Sequence, residues 1–237
     1  MLHSLCYSIG GNTRKETSRS QIGGKCMNAE YIKSRLNHTL EVAVFPGHFA
    51  TRHSHNSHYI DITRMKHEHT MARQAAITLA QRYTYEKTID TVVCLDGSEV
   101  IGAFLARHLA QKDRFGINSD KSINVVTPEY DSNGQLIFRD NLAPMVSGKS
   151  VLLLISTVNS GKTVRRALEC VEYYGGAVQG IAAVFSTLEQ VDGTPIYSLF
   201  SPDDIQGYLT SSPKECPLCK AGKKIDALSN SYGFSKL

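Results

Sequence analysis

The segment SVLLLIS, Ser150 to Ser156, holds five aliphatic residues in unbroken succession, with hydroxyls only at its two ends. A strand with one face in water alternates apolar and polar residues, so an unbroken apolar strand has to be covered on both faces. That requirement points to the centre of a parallel sheet with helices on each side. DTVVCLD (Asp90 to Asp96) and AVQGIAAVFST (Ala177 to Thr187) are further strand-like runs, and INVVTP and TPIYSLF are shorter ones. Between them, Val100, Ile101, Phe104, Leu105 and His108 share one helix face, and Val164, Ala167, Leu168 and Val171 repeat as another. Strands and crossover helices thus alternate, which predicts an α/β fold with a mostly parallel central sheet flanked by helices.

Upstream, Ala72, Ala75, Ala76, Leu79, Ala80 and Tyr83 mark a long amphipathic helix. AEYIKSRL predicts a helix, EVAVF a short strand ending at Pro46 and Gly47, and the histidine-rich stretch after it a loop. DSNGQLIFRDN, with Asn133 and Gly134 between polar and apolar runs, predicts a hairpin or a mobile excursion. A chain of 237 residues, 41% hydrophobic, can bury one large core. The expectation is a single domain over 27–237: a hood or N-terminal part at 27–88, the core sheet at 89–200 and a C-terminal segment at 201–237. Residues 1–26, rich in Gly, Ser, Thr, Asn, Lys and Arg, predict a disordered arm or an upstream start ahead of Met27.

Several classes are disfavoured. No apolar run approaches the roughly 18 residues of a membrane span, and the first residues lack the apolar stretch and cleavage site of a secretory signal, so the cytoplasm is the expectation. Six cysteines do not make a disulfide framework here, because Cys94 and Cys170 fall within apolar element patterns. The net charge of +4 is scattered rather than gathered into a stripe, so small anions are the expected partners and nucleic acid is not.

The expected place for an anion is the turn after the central strand, because ligands of open parallel sheets bind beyond the carboxyl ends of the strands. STVNSGKT offers Val158, Asn159, Ser160, Gly161, Lys162 and Thr163 there, with two hydroxyls, a glycine and a lysine at a helix start. The nucleotide P-loop pattern GxxxxGK[ST] shares Gly161, Lys162 and Thr163, but has Ser156 where its first glycine belongs. Asp96 could then serve as its magnesium carboxylate, which keeps a P-loop phosphotransferase as one alternative.

A second likeness covers more of the chain. VLLLISTVNSGKTVRRALECVEYYGG resembles the strand, phosphate loop and helix of the type I phosphoribosyltransferases. Gly47, His48, Phe49 and Tyr59, the segment VDGTPIYSLF, and Cys216, Pro217, Leu218, Cys219 and Gly222 are similar to orotate phosphoribosyltransferases in particular. The resemblance implies the fold of that family, with a small N-terminal hood and a flexible loop. It also implies transfer of phosphoribose from phosphoribosyl pyrophosphate, held with Mg2+, to orotate or a related base, in a homodimer. Val158 to Thr163 would hold the 5'-phosphate. Ser156, Thr157, Asp96, Gly97, Ser98 and Glu99 would form the ribose and pyrophosphate region, Glu129, Tyr130 and Arg139 the flexible loop, and Phe49, Tyr59 and Ser186 the base pocket.

Four positions depart from the family pattern. The acidic pair that binds the ribose hydroxyls falls at Ile155 and Ser156, the pyrophosphate loop carries Asp96 and Glu99, the flexible loop 130–141 has Arg139 as its one cation, and Ser186 and Thr187 stand where an aspartate and an arginine receive orotate. These departures favour a second alternative, a ligand-binding or regulatory homologue without catalysis. The histidines between His48 and His69 read as substrate-loop or solvent residues rather than a metal site, since their spacing fits no compact ligand set. Cys216 and Cys219 have zinc-knuckle spacing, but no second CxxC or HxxxH accompanies them, so they read as a structural hook.

Overall fold

The computed structural model describes residues 19–20, 27–111 and 116–237. The expected arm 1–26 lies outside them apart from β1 (Arg19–Ser20), which pairs antiparallel with β2 (Met27–Asn28). Next come β3 (Glu30–Lys33), β4 (Glu41–Ala50), β5 (His55–Asp61), α1 (Thr63–His67) and α2 (His69–Ala80). They are followed by β6 (Thr91–Leu95), α3 (Glu99–Leu109), β7 (Asn124–Val126), β8 (Glu129–Tyr130) and β9 (Leu136–Ile137). Then come β10 (Ser150–Val158), α4 (Lys162–Tyr173), β11 (Ala177–Ser186), β12 (Gln190–Val191) and β13 (Thr194–Phe200). The remaining elements are β14 (Thr210–Ser211), α5 (Pro217–Lys220), β15 (Ala227–Asn230) and β16 (Gly233–Lys236).

The central sheet has the order β12-β13-β11-β10-β6-β7, and every pairing in it is parallel except that of β12 with β13. β10 lies inside it, with β6 on one side and β11 on the other. Its side chains alternate between two hydrophobic layers. Leu152 and Leu154 pack with Leu79, Ile101 and Leu105 of α2 and α3, while Val151, Leu153 and Ile155 pack with Val164, Ala167 and Val171 of α4. The sequence expectation of a doubly covered parallel strand thus holds, and the helices follow from their apolar stripes. No helix among the described residues is long and apolar enough to cross a membrane.

A second sheet forms a hood with the order β14-β5-β4-β15-β16, and β3 adds to β4. Here the sequence expectations need correction. The segment read as the helix AEYIKSRL contains β3, whose Tyr31 and Ile32 pair opposite Ala43 and Val42. Tertiary pairing and an aromatic, β-branched pair outweigh the weak helical pattern of so short a run. The strand expected to stop at Pro46 continues to Ala50 through a register shift between Pro46 and Phe49, an irregularity where proline's missing N–H does little harm. The stretch read as a histidine loop contains β5. The residues after 201 contribute β14, β15 and β16, and β15 runs parallel to β4, so the C-terminal strands join the sheet built by β3, β4 and β5.

The two sheets share a core. Val42, Val44 and Ile60 of the hood pack into the layer that holds Leu152 and Leu154, and the buried Ser34 hydroxyl donates to the Leu199 carbonyl across the junction at 2.7 Å. α3 approaches the sheet closely at Gly102, where an added Cβ would lie 2.3 Å from Cys94 Sγ and 3.3 Å from Val125 Cγ1. Gly102→Ala therefore overpacks the α3–β6 contact. Overpacking costs about 1–3 kcal/mol, against about 1 kcal/mol recovered in helix propensity. Urea unfolding of the variant is expected to show a lower midpoint with an unchanged slope.

Candidate functional site

β10 brings the chain to the carboxyl edge of the sheet, where Val158 is followed by Asn159, Ser160 and Gly161 before α4 starts at Lys162. Gly161 has φ 71°, in the left-handed region. A Cβ there would lie 3.0 Å from both Leu188 Cδ1 and Val191 Cγ2, so conformation and space both call for glycine. The first N–H groups of a helix have no partner within it and carry its positive dipole end, so this turn offers donors to an anion. It is braced from β11: the Thr187 N–H donates to the Val158 carbonyl at 2.9 Å, and the Thr187 hydroxyl to the Asn159 carbonyl at 2.7 Å.

The turn forms one wall of a cavity of about 330 Å3. The hood supplies the facing wall through the turn Thr51–Ser54 and through Asn56, His58 and Tyr59 of β5, while Asp96, Tyr130 and Ser229–Tyr232 complete the lining. Arg52, Lys162 and Arg166 bring three permanent positive charges to it, against one carboxylate, Asp96. The His53 imidazole is held below its ordinary pKa by burial and by Lys162, Arg52 and Arg166, so the cations already crowd it without a ligand. Away from them the wall is aromatic. His58 stacks on Tyr208 at 6.1 Å and 24°, and Tyr208 packs against Phe185. The buried Oδ1 of Asn56, on the same wall, has no hydrogen-bond partner.

Asp96 takes a positive φ of 56° just after β6. Burial raises its pKa, opposed by a hydrogen bond with Ser231 and by the nearby Lys66 ammonium. Lys66 is itself buried, donates to the Ser231 carbonyl at 2.8 Å and lies 5.2 Å from the Tyr232 ring centroid. Burial lowers its pKa, and Asp96 and Glu99 oppose that shift. A carboxylate, an ammonium and the C-terminal turn are thus tied together beside the cavity.

The structure gathers some of the residues singled out in the sequence and separates others. Val158 to Thr163, Thr157, Asp96, Tyr130 and Tyr59 line the cavity, as does Ile155. Ser156 lies beneath it, its hydroxyl donating to the Asp96 carbonyl at 3.0 Å. Gly97 faces Lys66, Ser98 is buried with its hydroxyl on the Leu154 carbonyl, and Glu99 accepts from Thr127. Glu129 and Arg139 pair with each other at 2.9 Å across the β8–β9 hairpin. Phe49 is fully buried in the hood with Phe45, Tyr59 and Phe234, and Ser186 is buried with its hydroxyl on the Leu188 carbonyl, so neither lines the cavity.

Sequence reasoning missed Arg52, Asn56, Lys66, Arg166, Tyr208 and Ser231, while His53 falls within the histidine run read as substrate-loop or solvent residues. Arg166 had a signal, since it stands four residues after Lys162 and shares its helix face. The others reach the site only through the packing of the hood and the C-terminal turn. Outside the cavity, His48, His55, Cys216 and Cys219 converge with their donor atoms all within 4.8 Å of one another. This corrects the expectation that the cysteine pair lacked companions: the other two donors come from β4 and β5, more than 150 residues earlier.

Several known proteins are similar to this chain. An orotate phosphoribosyltransferase of Chlorobium phaeobacteroides is 24% identical over 192 residues, covering 78% of this chain and 88% of the relative. One from Caldicellulosiruptor bescii is 26% identical over 187 residues, covering 77% and 88%. Among solved structures, the Mycobacterium tuberculosis orotate phosphoribosyltransferase in complex with 5-phospho-alpha-D-ribosyl 1-diphosphate superposes with a TM-score of 0.46 at 17% identity, covering 62% of this chain and 82% of that one. The phosphoribosyl transferase domain model matches residues 61–207, which run from the end of β5 through the turn Val158–Thr163 to the segment after β13. With more than half of its length in that match, the chain belongs to the phosphoribosyl transferase domain family.

Proposed function

We propose that the chain binds a phosphoribosyl ligand, phosphoribosyl pyrophosphate or a nucleotide, with the 5'-phosphate on Val158–Thr163 and the base end toward the hood. One observation carries this reading: the helix start at Lys162, the left-handed Gly161 and the cations Arg52, Lys162 and Arg166 meet on one cavity. The aromatic pair of His58 and Tyr208 suits the flat face of a base, and the unpartnered Asn56 Oδ1 suits an N–H donor on its edge.

Transfer of phosphoribose to orotate or a related base is the activity that the relatives' names and the residue pattern support. Mg2+ is the ion this reaction implies. Asp96 fits it, because Mg2+ is commonly held by one or two carboxylates together with the phosphate oxygens of a substrate. When bound, the ion would neutralise charge on the leaving pyrophosphate. Around it, the chain's own groups do the holding: the turn fixes the phosphate, Arg166 and Lys162 neutralise it, and the hood covers the base. A homodimer is the assembly the family resemblance implies, and light scattering after gel filtration would measure it.

A second reading rests on a specific observation. Ile155 is fully buried and Ser156 is occupied with the Asp96 carbonyl, so neither offers a carboxylate to the ribose hydroxyls. Charge developing on the ribose in transfer would lack that stabilisation, which favours ligand binding without turnover.

Calorimetric titration of phosphoribosyl pyrophosphate with Mg2+ is expected to show binding, and Arg166→Ala to weaken it by about 10- to 100-fold, the worth of a charge-assisted hydrogen bond. Absence of binding by the wild-type protein would sink the assignment of the turn. Orotate added to the same sample distinguishes the readings: pyrophosphate release marks a transferase, and its absence a binding protein. His53 gives a pH signature. A bound anion removes the unfavourable field of the three cations, so the imidazole pKa rises on binding and a proton is taken up. Affinity of wild type relative to His53→Gln should therefore increase as pH falls through the bound-state pKa, and level off below the free-state value. A ratio independent of pH between 8 and 5 would remove His53 from the site.

A further inference from the structure

The convergence of His48, His55, Cys216 and Cys219 is separate from the cavity chemistry and does not rest on the reading of that cavity. The relevant distances are those between donor atoms. His48 Nε2 lies 3.1 Å from His55 Nδ1, 3.5 Å from Cys216 Sγ and 3.7 Å from Cys219 Sγ, and Cys219 Sγ lies 3.3 Å from His55 Nδ1. A tetrahedral Zn2+ with Zn–N near 2.05 Å and Zn–S near 2.3 Å has edges of about 3.3 Å between nitrogens and about 3.6 Å between nitrogen and sulfur. The four contacts match those edges to within a few tenths of an ångström.

The surroundings are arranged as a ligand set requires. His48 Nδ1 faces two carbonyl oxygens, those of Lys223 at 2.9 Å and Lys224 at 3.2 Å. Two acceptors on one nitrogen fix the proton there, which leaves the Nε2 lone pair pointing into the cluster, as carbonyls commonly do for a metal-binding imidazole. Cys216 Sγ receives backbone N–H groups of Leu218 and Cys219, the folded-back turn that a CxxC pair makes around a metal. Both cysteines are free thiols. Two thiolates, two neutral imidazoles and a divalent ion sum to zero charge, so the partly buried site carries no uncompensated charge.

We propose that His48, His55, Cys216 and Cys219 form a structural Zn2+ site with closed Cys2His2 coordination. The ion fastens the β4–β5 hairpin to the α5 turn, joining ligands 161 or more residues apart in sequence and reinforcing the strand pairings of β14 with β5 and of β15 with β4 on either side of that turn. His48 and His55 bracket the turn Thr51–Ser54, which brings Arg52 and His53 to the cavity. The metal thereby holds the cationic edge of the hood in place, without touching the ligand cavity itself.

The test uses the full chain without a polyhistidine tag, expressed with added zinc and purified without chelators. Plasma mass spectrometry is expected to find about one zinc per chain, and X-ray absorption to find about two sulfur ligands near 2.3 Å and two nitrogens near 2.0 Å. Cys219→Ser and His55→Ala should each lose the metal, and His38→Ala and His69→Ala, on exposed histidines, should keep it. Removing zinc from the wild type with a chelator should lower Tm by at least about 5 °C, reversibly on adding zinc back. Should the cysteine and histidine variants fail to fold, cobalt substitution of the wild type decides the matter through the thiolate charge-transfer and intense visible bands of tetrahedral Co2+. Metal-free protein that takes up neither zinc nor cobalt would overturn the proposal. So would zinc retained in Cys219→Ser and His55→Ala, or an absorption spectrum without sulfur ligands.

Discussion

The side chains of Val151 to Ile155 project alternately into two apolar layers, and none of the five has measurable exposure to solvent. Each residue buried in this way contributes about 1.5–3 kcal/mol, but only if helices cover both faces of β10. α2 and α3 cover one face and α4 the other. The arrangement fixes where the strand can end, because the chain must leave the sheet between β6 and β11 and turn directly into α4. The turn Asn159–Gly161 is the consequence. Its geometry is set by a strand that cannot slip by one residue without moving every side chain to the opposite layer.

Around that fixed turn the rest of the cavity is assembled from parts that are less constrained locally. The hood contributes Arg52, His53, Asn56 and His58, and the C-terminal turn contributes Ser229 to Tyr232. These pieces are held by pairing between β4 and β15, by the Asp226 carboxylate on the His48 N–H at 2.7 Å, and by Lys66 on the Ser231 carbonyl. All are contacts between residues far apart in sequence. The proposed zinc ion at His48, His55, Cys216 and Cys219 would add a fourth tether to the hood.

Electrostatically, the cavity separates its charges. Arg52, Lys162 and Arg166 gather near the helix start, and the burial that raises the Asp96 pKa also lowers that of Lys66 beside it. The carboxylate is held where a cation would favour its ionised form. In the proposed binding mode Ile155 and Ser156 offer the ribose no carboxylate, so the proposed phosphate end of the site is better furnished than the end where transfer would take place.

The central sheet was legible in the sequence because a strand buried on both faces leaves an unbroken apolar run, and its neighbouring helices leave stripes of period 3.6. The turn from β10 into α4 was legible because a helix start after such a strand needs few residues and Gly161 marks it. The hood was not: β3 and β5 are short and their pairing partners decide their conformation, so AEYIKSRL and the histidine run gave no reliable local signal. The metal cluster and the network of Lys66, Asp96 and Ser231 were invisible for the same reason. Local sequence determined each element that buries its own periodic face, and the tertiary structure alone decided which distant polar side chains meet, because their encounter depends on how two sheets pack and not on spacing along the chain.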